Sequence, residues 1–331
     1  MNIGRATPHL RVGRVWLRLR PRRQRPSVSV LAVIFICSGV ACGRIALDRF
    51  LESRAREPVE ASRVLLEETA LSRKSSLELA KGDARRFVCF VREPRDAAGP
   101  FPAVLMLAGF ETGRESLDFI EDRGDMVLMS MNYPYPGKPP RGVSVVWSLG
   151  RIRRMAFDTL EGAALALAYL ARRPDVDPRR ILVLGVSFGS IFATAVGAHD
   201  PHPSGVVLIY GGGGLPSLAH RNLRRWGWPM PLFLVRPVVR WFFSEIEPLE
   251  HVARIAPRYL LMINSERDEM FPPAAGRALF ERANEPKKLV WYETGHMDLF
   301  DPELVRRITR QVISELEAAG QWPVSRSRPT P

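Results

Sequence analysis

Short, continuous apolar runs recur along most of this chain, and segments with helical periodicity separate them. A strand that is apolar on both faces has to be buried on both faces, which is typical of a parallel sheet covered by helices. A strand pair at 77–91 precedes the other runs and suggests an antiparallel start. We therefore predict an α/β fold with a mostly parallel central sheet and helices on both faces. The runs that we predict to be its strands are 101–109, 125–134, 181–185, 205–214, 259–265 and 288–293.

The N-terminus differs from the rest of the chain in its charge. Residues 1–26 hold eight arginines and no acidic residue, and 18 uncharged residues follow from Pro26 to Gly43. A basic segment before an apolar run is typical of a secretory signal or a membrane anchor, although a buried core helix with a basic tail fits the same pattern. We assign residues 1–47 to this segment and expect the body to be exported or held at the extracytoplasmic face of a membrane. The residues before Cys42 resemble the lipobox of bacterial lipoproteins, which would make Cys42 a lipidation site.

Charge and cysteine content exclude several classes of protein. Of the 48 basic residues, eight lie within residues 1–26, and the other 40 accompany 35 acidic residues. The body is therefore only mildly basic and has no nucleic-acid-binding motif, so we predict no nucleic-acid partner. Cys89 is the only cysteine after residue 47, so the body cannot form an internal disulfide. No cysteine and histidine cluster has zinc spacing, and we predict no metal.

Residues 48–320 are predicted to form one domain, and residues 321–331 a disordered tail that contains proline and arginine. Residues 48–75 are charged and helix-prone, and we expect them to form a lead-in to the domain. Residues 215–243 interrupt the alternation of strands and helices, and they contain five arginines, several aromatic residues and no acidic residue. We interpret this segment as a cap over the edge of the sheet.

The apolar run at 181–185 leads into Gly185-Val186-Ser187-Phe188-Gly189, and a helical segment comes directly after it. A serine at such a sharp strand-to-helix turn is exposed at the carboxyl end of the strand, and small residues two positions before and after it avoid clashes. The pattern predicts that Ser187 is a nucleophile. A structural turn serine is the alternative.

A serine hydroxyl is a weak nucleophile at neutral pH, so it needs a base that a carboxylate holds in place. Asp268 and His296 each follow a predicted strand and come after Ser187 in the order Ser, Asp, His. Glu266 and Glu269 are alternative carboxylates for the position of Asp268. His251 is the only rival histidine, and it precedes Asp268 in the chain.

These segments together resemble an α/β-hydrolase, and the resemblance covers roughly residues 77 to 319. LGVSFGS resembles the nucleophile elbow of this family, the segment with Asp268 resembles the stretch that carries its acid, and TGH resembles its histidine loop. DPRRILVLGVSFGS is similar to the dienelactone hydrolase, acetyl esterase and prolyl-oligopeptidase-like branches. The resemblance implies an α/β-hydrolase fold without a cofactor and an oxyanion hole formed by the backbone N–H groups of Phe188 and Phe110.

The substrate expected from this reasoning is a small molecule with an acyl group. Glu111 lies beside the predicted oxyanion loop and could contact the substrate, although a solvated loop acid is the alternative. In the cap, Trp226 and Trp228 could bind the acyl group, be ordinary packing residues, or accompany arginines on an anionic membrane surface. We expect a carboxylic ester or thioester hydrolase, with a peptidase or amidase of the same fold and a non-catalytic, membrane-tethered binding protein as alternatives.

Overall fold

The computed structural model of the protein describes residues 47–54, 58–80, 85–96, 99–109, 113–135, 144–228, 230–296 and 301–322. Apart from Leu47, the predicted signal or anchor segment lies outside these residues, as do Cys42 and the tail from residue 323 onward. Gln321 and Trp322, which we assigned to the tail, follow the last helix, and Trp322 is buried. Within the residues that the structure describes, no helix has the length and apolar character needed to span a membrane.

A nine-stranded sheet forms the centre of the described chain, in the order β1-β2-β3-β5-β4-β6-β7-β8-β9. The strands from β5 through β4 to β9 pair in parallel, whereas β1, β2 and β3 are antiparallel to their neighbours. The predicted mostly parallel sheet with an antiparallel start is thus confirmed. Its strands are β1 (Val59–Glu68), β2 (Ser72–Ala80), β3 (Arg86–Pro94), β4 (Phe101–Leu107), β5 (Val127–Met131), β6 (Val176–Val186), β7 (Gly205–Ile209), β8 (Tyr259–Ser265) and β9 (Lys287–Tyr292).

The helices of the described residues separate the parallel strands and cover the sheet. They are α1 (Leu47–Arg54), α2 (Ser144–Trp147), α3 (Leu149–Arg172), α4 (Phe188–His199), α5 (Leu215–Arg225), α6 (Leu232–Phe243), α7 (Pro248–His251), α8 (Pro273–Arg282) and α9 (Pro302–Ala318). A short 3₁₀ helix at Arg114–Phe119 lies between β4 and β5. The predicted cap forms two helices, α5 and α6, which pack against each other.

The side chains of β6 show how the sheet is covered on both faces. Ile181 and Val183 join the hydrophobic core that α3 and α4 complete, whereas Leu182 and Leu184 join the core beneath α9. Side chains alternate between the two faces of a strand, so an uninterrupted apolar run supplies both cores at once. Burial of one such side chain stabilises the fold by about 1.5–3 kcal/mol.

The expectation for residues 48–75 was wrong for most of this segment. The chain forms one short helix, α1, and then the ten-residue edge strand β1, which is exposed along nearly its whole length. Val64 and Leu65 are 59% and 54% exposed. Strand formation here depends on pairing with β2 rather than on burial of an alternating face, and the local sequence carries no signal for such pairing.

Candidate active site

Ser187 lies at the turn between β6 and α4 in a backbone conformation that side chains rarely adopt. Its φ and ψ angles are 53° and −116°, and such a conformation costs on the order of 1–3 kcal/mol. Its N–H donates a hydrogen bond to the Ile209 carbonyl oxygen of β7 at 2.8 Å. Its carbonyl oxygen accepts hydrogen bonds from the N–H and the hydroxyl of Ser190 at 3.0 and 2.6 Å. These bonds hold the strained turn, as the elbow prediction requires.

The two glycines around Ser187 are needed for close packing. A Cβ on Gly189 would lie 1.7 Å from the Leu107 carbonyl oxygen, and a Cβ on Gly185 would lie 2.5 Å from Cβ of Ala193. Neither site has space for a side chain, so α4 can approach β4 and β6 only because both residues are glycine.

The structure brings Ser187, His296 and Asp268 into one hydrogen-bonded chain. His296 Nε2 lies 2.8 Å from Ser187 Oγ, and His296 Nδ1 lies 2.8 Å from Asp268 Oδ2. Ser187 and Asp268 follow β6 and β8, and His296 follows β9, so all three lie at the carboxyl edge of the parallel strands. With Nδ1 protonated toward Asp268, Nε2 of His296 is free to accept the proton of the serine hydroxyl.

Asp268 is held firmly, and its two neighbouring carboxylates point elsewhere. It is only 3% exposed, and its Oδ1 accepts hydrogen bonds from the N–H groups of Met270 and Phe271, both at 2.8 Å. Glu266 instead pairs with Arg277 of α8, and Glu269 pairs with Arg225 of α5. Of the three candidate carboxylates, the geometry therefore favours Asp268.

A second set of residues, which the sequence did not indicate, holds the His296 ring. The ring stacks on Phe271 at a centroid distance of 6.2 Å and meets the edge of Tyr210 at 5.7 Å. Tyr210 is fully buried, has a positive φ of 53°, and its hydroxyl lies 2.6 Å from Oγ1 of Thr294. The Thr294 carbonyl oxygen accepts a hydrogen bond from Ser265 at the end of β8. The histidine loop is thus tied to the ends of β7 and β8.

The predicted oxyanion hole is described only in part. Phe188 is the first residue of α4, and its ring packs on Tyr133 and Phe192 at 5.4 and 5.2 Å. Phe110, the predicted second donor, and Glu111 lie outside the described residues.

Both flanks of residues 110–112 are anchored by hydroxyl groups. On one side, the hydroxyl of the partly buried Tyr133 donates a hydrogen bond to the Ala108 carbonyl oxygen at 2.7 Å, and desolvation raises the pKa of Tyr133. On the other side, the Gly113 carbonyl oxygen accepts hydrogen bonds from the hydroxyls of Ser116 and Ser130 at 2.6 and 2.8 Å. The loop between β4 and the 3₁₀ helix therefore starts and ends at fixed points.

The cap contacts the loop that carries the candidate acid. Arg221 and Asn222 of α5 donate to the carbonyl oxygens of Glu269 and Met270 at 3.1 and 3.5 Å. Trp226, directly after α5, is 57% exposed, and Trp228 is half-buried. The exposure of Trp226 gives no support to an acyl-binding role, which stays a prediction for both tryptophans.

Neither the buried cysteine nor a metal site offers another chemistry in the described part of the chain. Burial raises the pKa of the Cys89 thiol to about 12, so this cysteine is not a nucleophile. No group of three histidine, cysteine or carboxylate side chains in the described ranges could hold a metal ion.

Comparison with known proteins identifies solved structures with a similar fold. Neither the family models nor the curated sequences compared with this chain gave a match. An acetyl xylan esterase from Paenibacillus sp. R4 is similar in structure with a TM-score of 0.61 and 18% identity, over 81% of this chain and 95% of that one. Acetyl xylan esterase 1 from Thermoanaerobacterium sp. JW/SL YS485 gives a TM-score of 0.58 and 17% identity, over 85% and 98%.

The α/β-hydrolase GrgF from Penicillium sp. sh18 gives a TM-score of 0.52 at 17% identity, over 72% of this chain and 96% of that one. At such identities the similarity establishes the fold alone. The same fold is indicated by the sheet order, by the strained serine between β6 and α4 and by these structural neighbours. The chain therefore has the α/β-hydrolase fold.

Proposed function

We propose that the protein is a serine hydrolase that cleaves a carboxylic ester, or a thioester, through an acyl-enzyme intermediate. The observation that carries the proposal is the continuous chain from Ser187 Oγ through His296 to Asp268, with both contacts at 2.8 Å. A histidine between a serine hydroxyl and a buried carboxylate is the arrangement that activates a serine oxygen.

The positions of these groups support the following reaction. Ser187 Oγ attacks the acyl carbonyl carbon, and His296 Nε2 takes the hydroxyl proton and passes it to the leaving oxygen or sulfur. The Phe188 N–H, at the start of α4, stabilises the negative charge on the carbonyl oxygen, an interaction worth about 3 kcal/mol per donor. Water activated by His296 then attacks the acyl-enzyme and releases the acid. Asp268 keeps the imidazole in the required tautomer throughout.

The neighbours suggest where a substrate search should begin. Two of them are named as acetyl xylan esterases. At 18% and 17% identity, the similarity does not carry their substrate over to the present chain. We therefore start the ester series at acetyl and extend it to longer acyl groups.

The test is turnover of p-nitrophenyl esters from acetyl to decanoyl, with labelling by a fluorophosphonate probe. We expect the wild type to hydrolyse at least one ester and to be labelled, and Ser187→Ala to lose both properties. Ser217→Ala, which removes an exposed serine on α5, is the matched control and should keep both.

Three results would contradict the proposal. They are an unlabelled and inert wild type, a Ser187→Ala variant as active as the wild type, or turnover of p-nitroanilides without turnover of any ester. The third result would identify an amidase with the same residues.

A further inference from the structure

The second cap helix, α6, presents one exposed stripe that combines arginine with aromatic side chains. Phe233 is 74% exposed and Trp241 is 42% exposed, and Arg236 and Arg240 are exposed between them. At 100° per residue, these four residues and Pro237 fall on one side of the helix, while the buried Val235 lies on the opposite side. We call Phe233, Arg236, Pro237, Arg240 and Trp241 the α6 stripe.

Exposed apolar side chains, most of them aromatic, form a group in this region. Of the ten large hydrophobic side chains that are exposed in the described chain, four lie between residues 226 and 241, and three of those four are aromatic. Scattered exposed apolar residues need no explanation, but a group of them on a surface marks an interaction site.

The arginines of the stripe have no acidic partner in the described part of the chain. Residues 215–243 contain no aspartate or glutamate, and neither Arg236 nor Arg240 forms an ion pair there. On α9, by contrast, the exposed Arg306 lies 4.0 Å from Glu303. The α6 stripe is therefore a surface of uncompensated positive charge beside exposed aromatic rings.

We propose that the α6 stripe docks on the surface of a membrane that contains anionic phospholipids. Tryptophan and phenylalanine insert at the level of the lipid headgroups, and arginine is attracted to the negative surface, so a helix with both on one face lies in the interface. Charge complementarity favours this partner over a neutral one. The proposal concerns α6 and is independent of the predicted N-terminal anchor and of the hydrolase activity.

Docking through α6 would bring the membrane near the candidate active site. The helix packs against α5, which contacts the loop of Asp268 through Arg221 and Asn222. The cap is fixed to the domain at its other end, because Arg153 donates to the Phe242 carbonyl oxygen and forms a bidentate pair with Glu245. The helix that carries the α6 stripe is thus held against the domain by Arg153.

The test is co-sedimentation of the full chain with vesicles of phosphatidylcholine alone or of phosphatidylcholine with 30% phosphatidylglycerol. We expect the double variant Arg236→Gln/Arg240→Gln to partition about 30-fold more weakly onto the anionic vesicles, at roughly fivefold per arginine. Arg306→Gln/Arg310→Gln is the matched control, since it removes two exposed arginines with the same four-residue spacing from α9. The control should bind as the wild type does.

A second variant and a second readout test whether the stripe itself inserts. Brominated lipids should quench tryptophan fluorescence in the wild type more than in Trp241→Ser, and far-UV circular dichroism checks that the variants are folded. Equal binding of the wild type and Arg236→Gln/Arg240→Gln, an equal loss in the α9 control, or equal quenching with and without Trp241 would overturn the proposal. Binding that does not depend on phosphatidylglycerol would do so as well.

Discussion

Two aspartate–histidine pairs lie along the same helix, α4, and they differ in the group that the histidine contacts next. At the N-terminal end of the helix, Asp268 contacts His296, whose Nε2 reaches the hydroxyl of Ser187. At its C-terminal end, Asp48 of α1 contacts His199, whose Nε2 lies 2.9 Å from Nδ1 of a second histidine, His251.

The second chain ends without a nucleophile. His251 Nε2 lies 2.9 Å from the Glu245 carbonyl oxygen, a backbone acceptor that cannot react. A carboxylate beside an imidazole is therefore not in itself a catalytic sign, because the third group decides the chemistry. We expect the hydrogen-bonded chain of Asp268, His296 and Ser187 to govern activity, and the one that starts at Asp48 to govern stability. Substitutions in each can separate these two effects.

The largest expected effect is on activity. Asp268→Asn should lower kcat/KM for ester hydrolysis by about 10⁴-fold with little change in the melting temperature, because the amide holds the wrong tautomer of His296. Asp48→Asn removes the corresponding carboxylate of the second chain and should leave kcat/KM unchanged. Ester kinetics and thermal unfolding of both variants give the result, and a comparable loss of activity in both would break the distinction.

The next effect is on stability. Glu245 is 9% exposed and pairs with Arg153 through two contacts of 2.8 and 2.9 Å. Glu245→Ala leaves the arginine buried without its partner, so we expect the free energy of unfolding to fall by about 3 kcal/mol.

Urea unfolding measures this change, and Glu250→Ala, at an exposed site on α7, should change the free energy by less than about 0.5 kcal/mol. An equal fall in the free energy of unfolding in both variants would show that the buried ion pair contributes no more to stability than an exposed glutamate does.

The sequence indicated the candidate triad because each member lies at or just after the end of a strand. Strands that are buried on both faces leave a clear apolar run, and parallel strands bring the residues after them to one edge. The residues that support the triad carry no such mark. Tyr210 and Thr294 are an ordinary tyrosine and threonine in the sequence, and only the paths of β7 and β9 bring their hydroxyls to 2.6 Å.

The second histidine chain was out of reach of the sequence for a related reason. Asp48 and His199 are separated by 151 positions, and their contact depends on where α1 packs. Leu51 of α1 is 1% exposed and Phe50 packs on Phe157 of α3, so the helix is placed by burial of its apolar face. The sequence also carried no indication of β1, because its residues are nearly all exposed and show no alternation between a buried and an exposed face.

A smaller effect on kcat tests whether the reaction at Ser187 depends on the predicted oxyanion loop that follows Ala108. Tyr133→Phe keeps the ring contacts with Phe188 but removes the hydrogen bond to the Ala108 carbonyl oxygen. If this bond positions the predicted oxyanion loop, kcat for the best ester should fall about 10-fold with KM nearly unchanged.

Tyr169→Phe removes a tyrosine hydroxyl that forms hydrogen bonds with Glu60 and Arg63 of β1, and it should leave kcat unchanged. A rise in KM alone for Tyr133→Phe would mean that the tyrosine affects binding rather than the reaction.

The smallest expected effect is the pH dependence of the second chain. Burial lowers the pKa of both His199 and His251 below the ordinary value, although Asp48 opposes the shift at His199. Since the unfolded chain then binds more protons than the folded one below about pH 6.5, this part of the stability is present at neutral pH and lost on acidification. The urea midpoint should fall between pH 7.5 and 5.5, and more steeply in the wild type than in His251→Gln.

The opposite pH dependence of stability can also be tested at the pair His199 and His251. Three contacts join Asp48 to the Glu245 carbonyl oxygen, and two neutral imidazoles carry only two N–H protons between them. An additional proton would complete all three hydrogen bonds, and stability would then rise on acidification in the wild type but not in His251→Gln. That outcome would contradict the lowered pKa values and would mean that the pair is charged. His220→Gln, on α5, should match the wild-type curve in either case, because His220 takes no part in this chain.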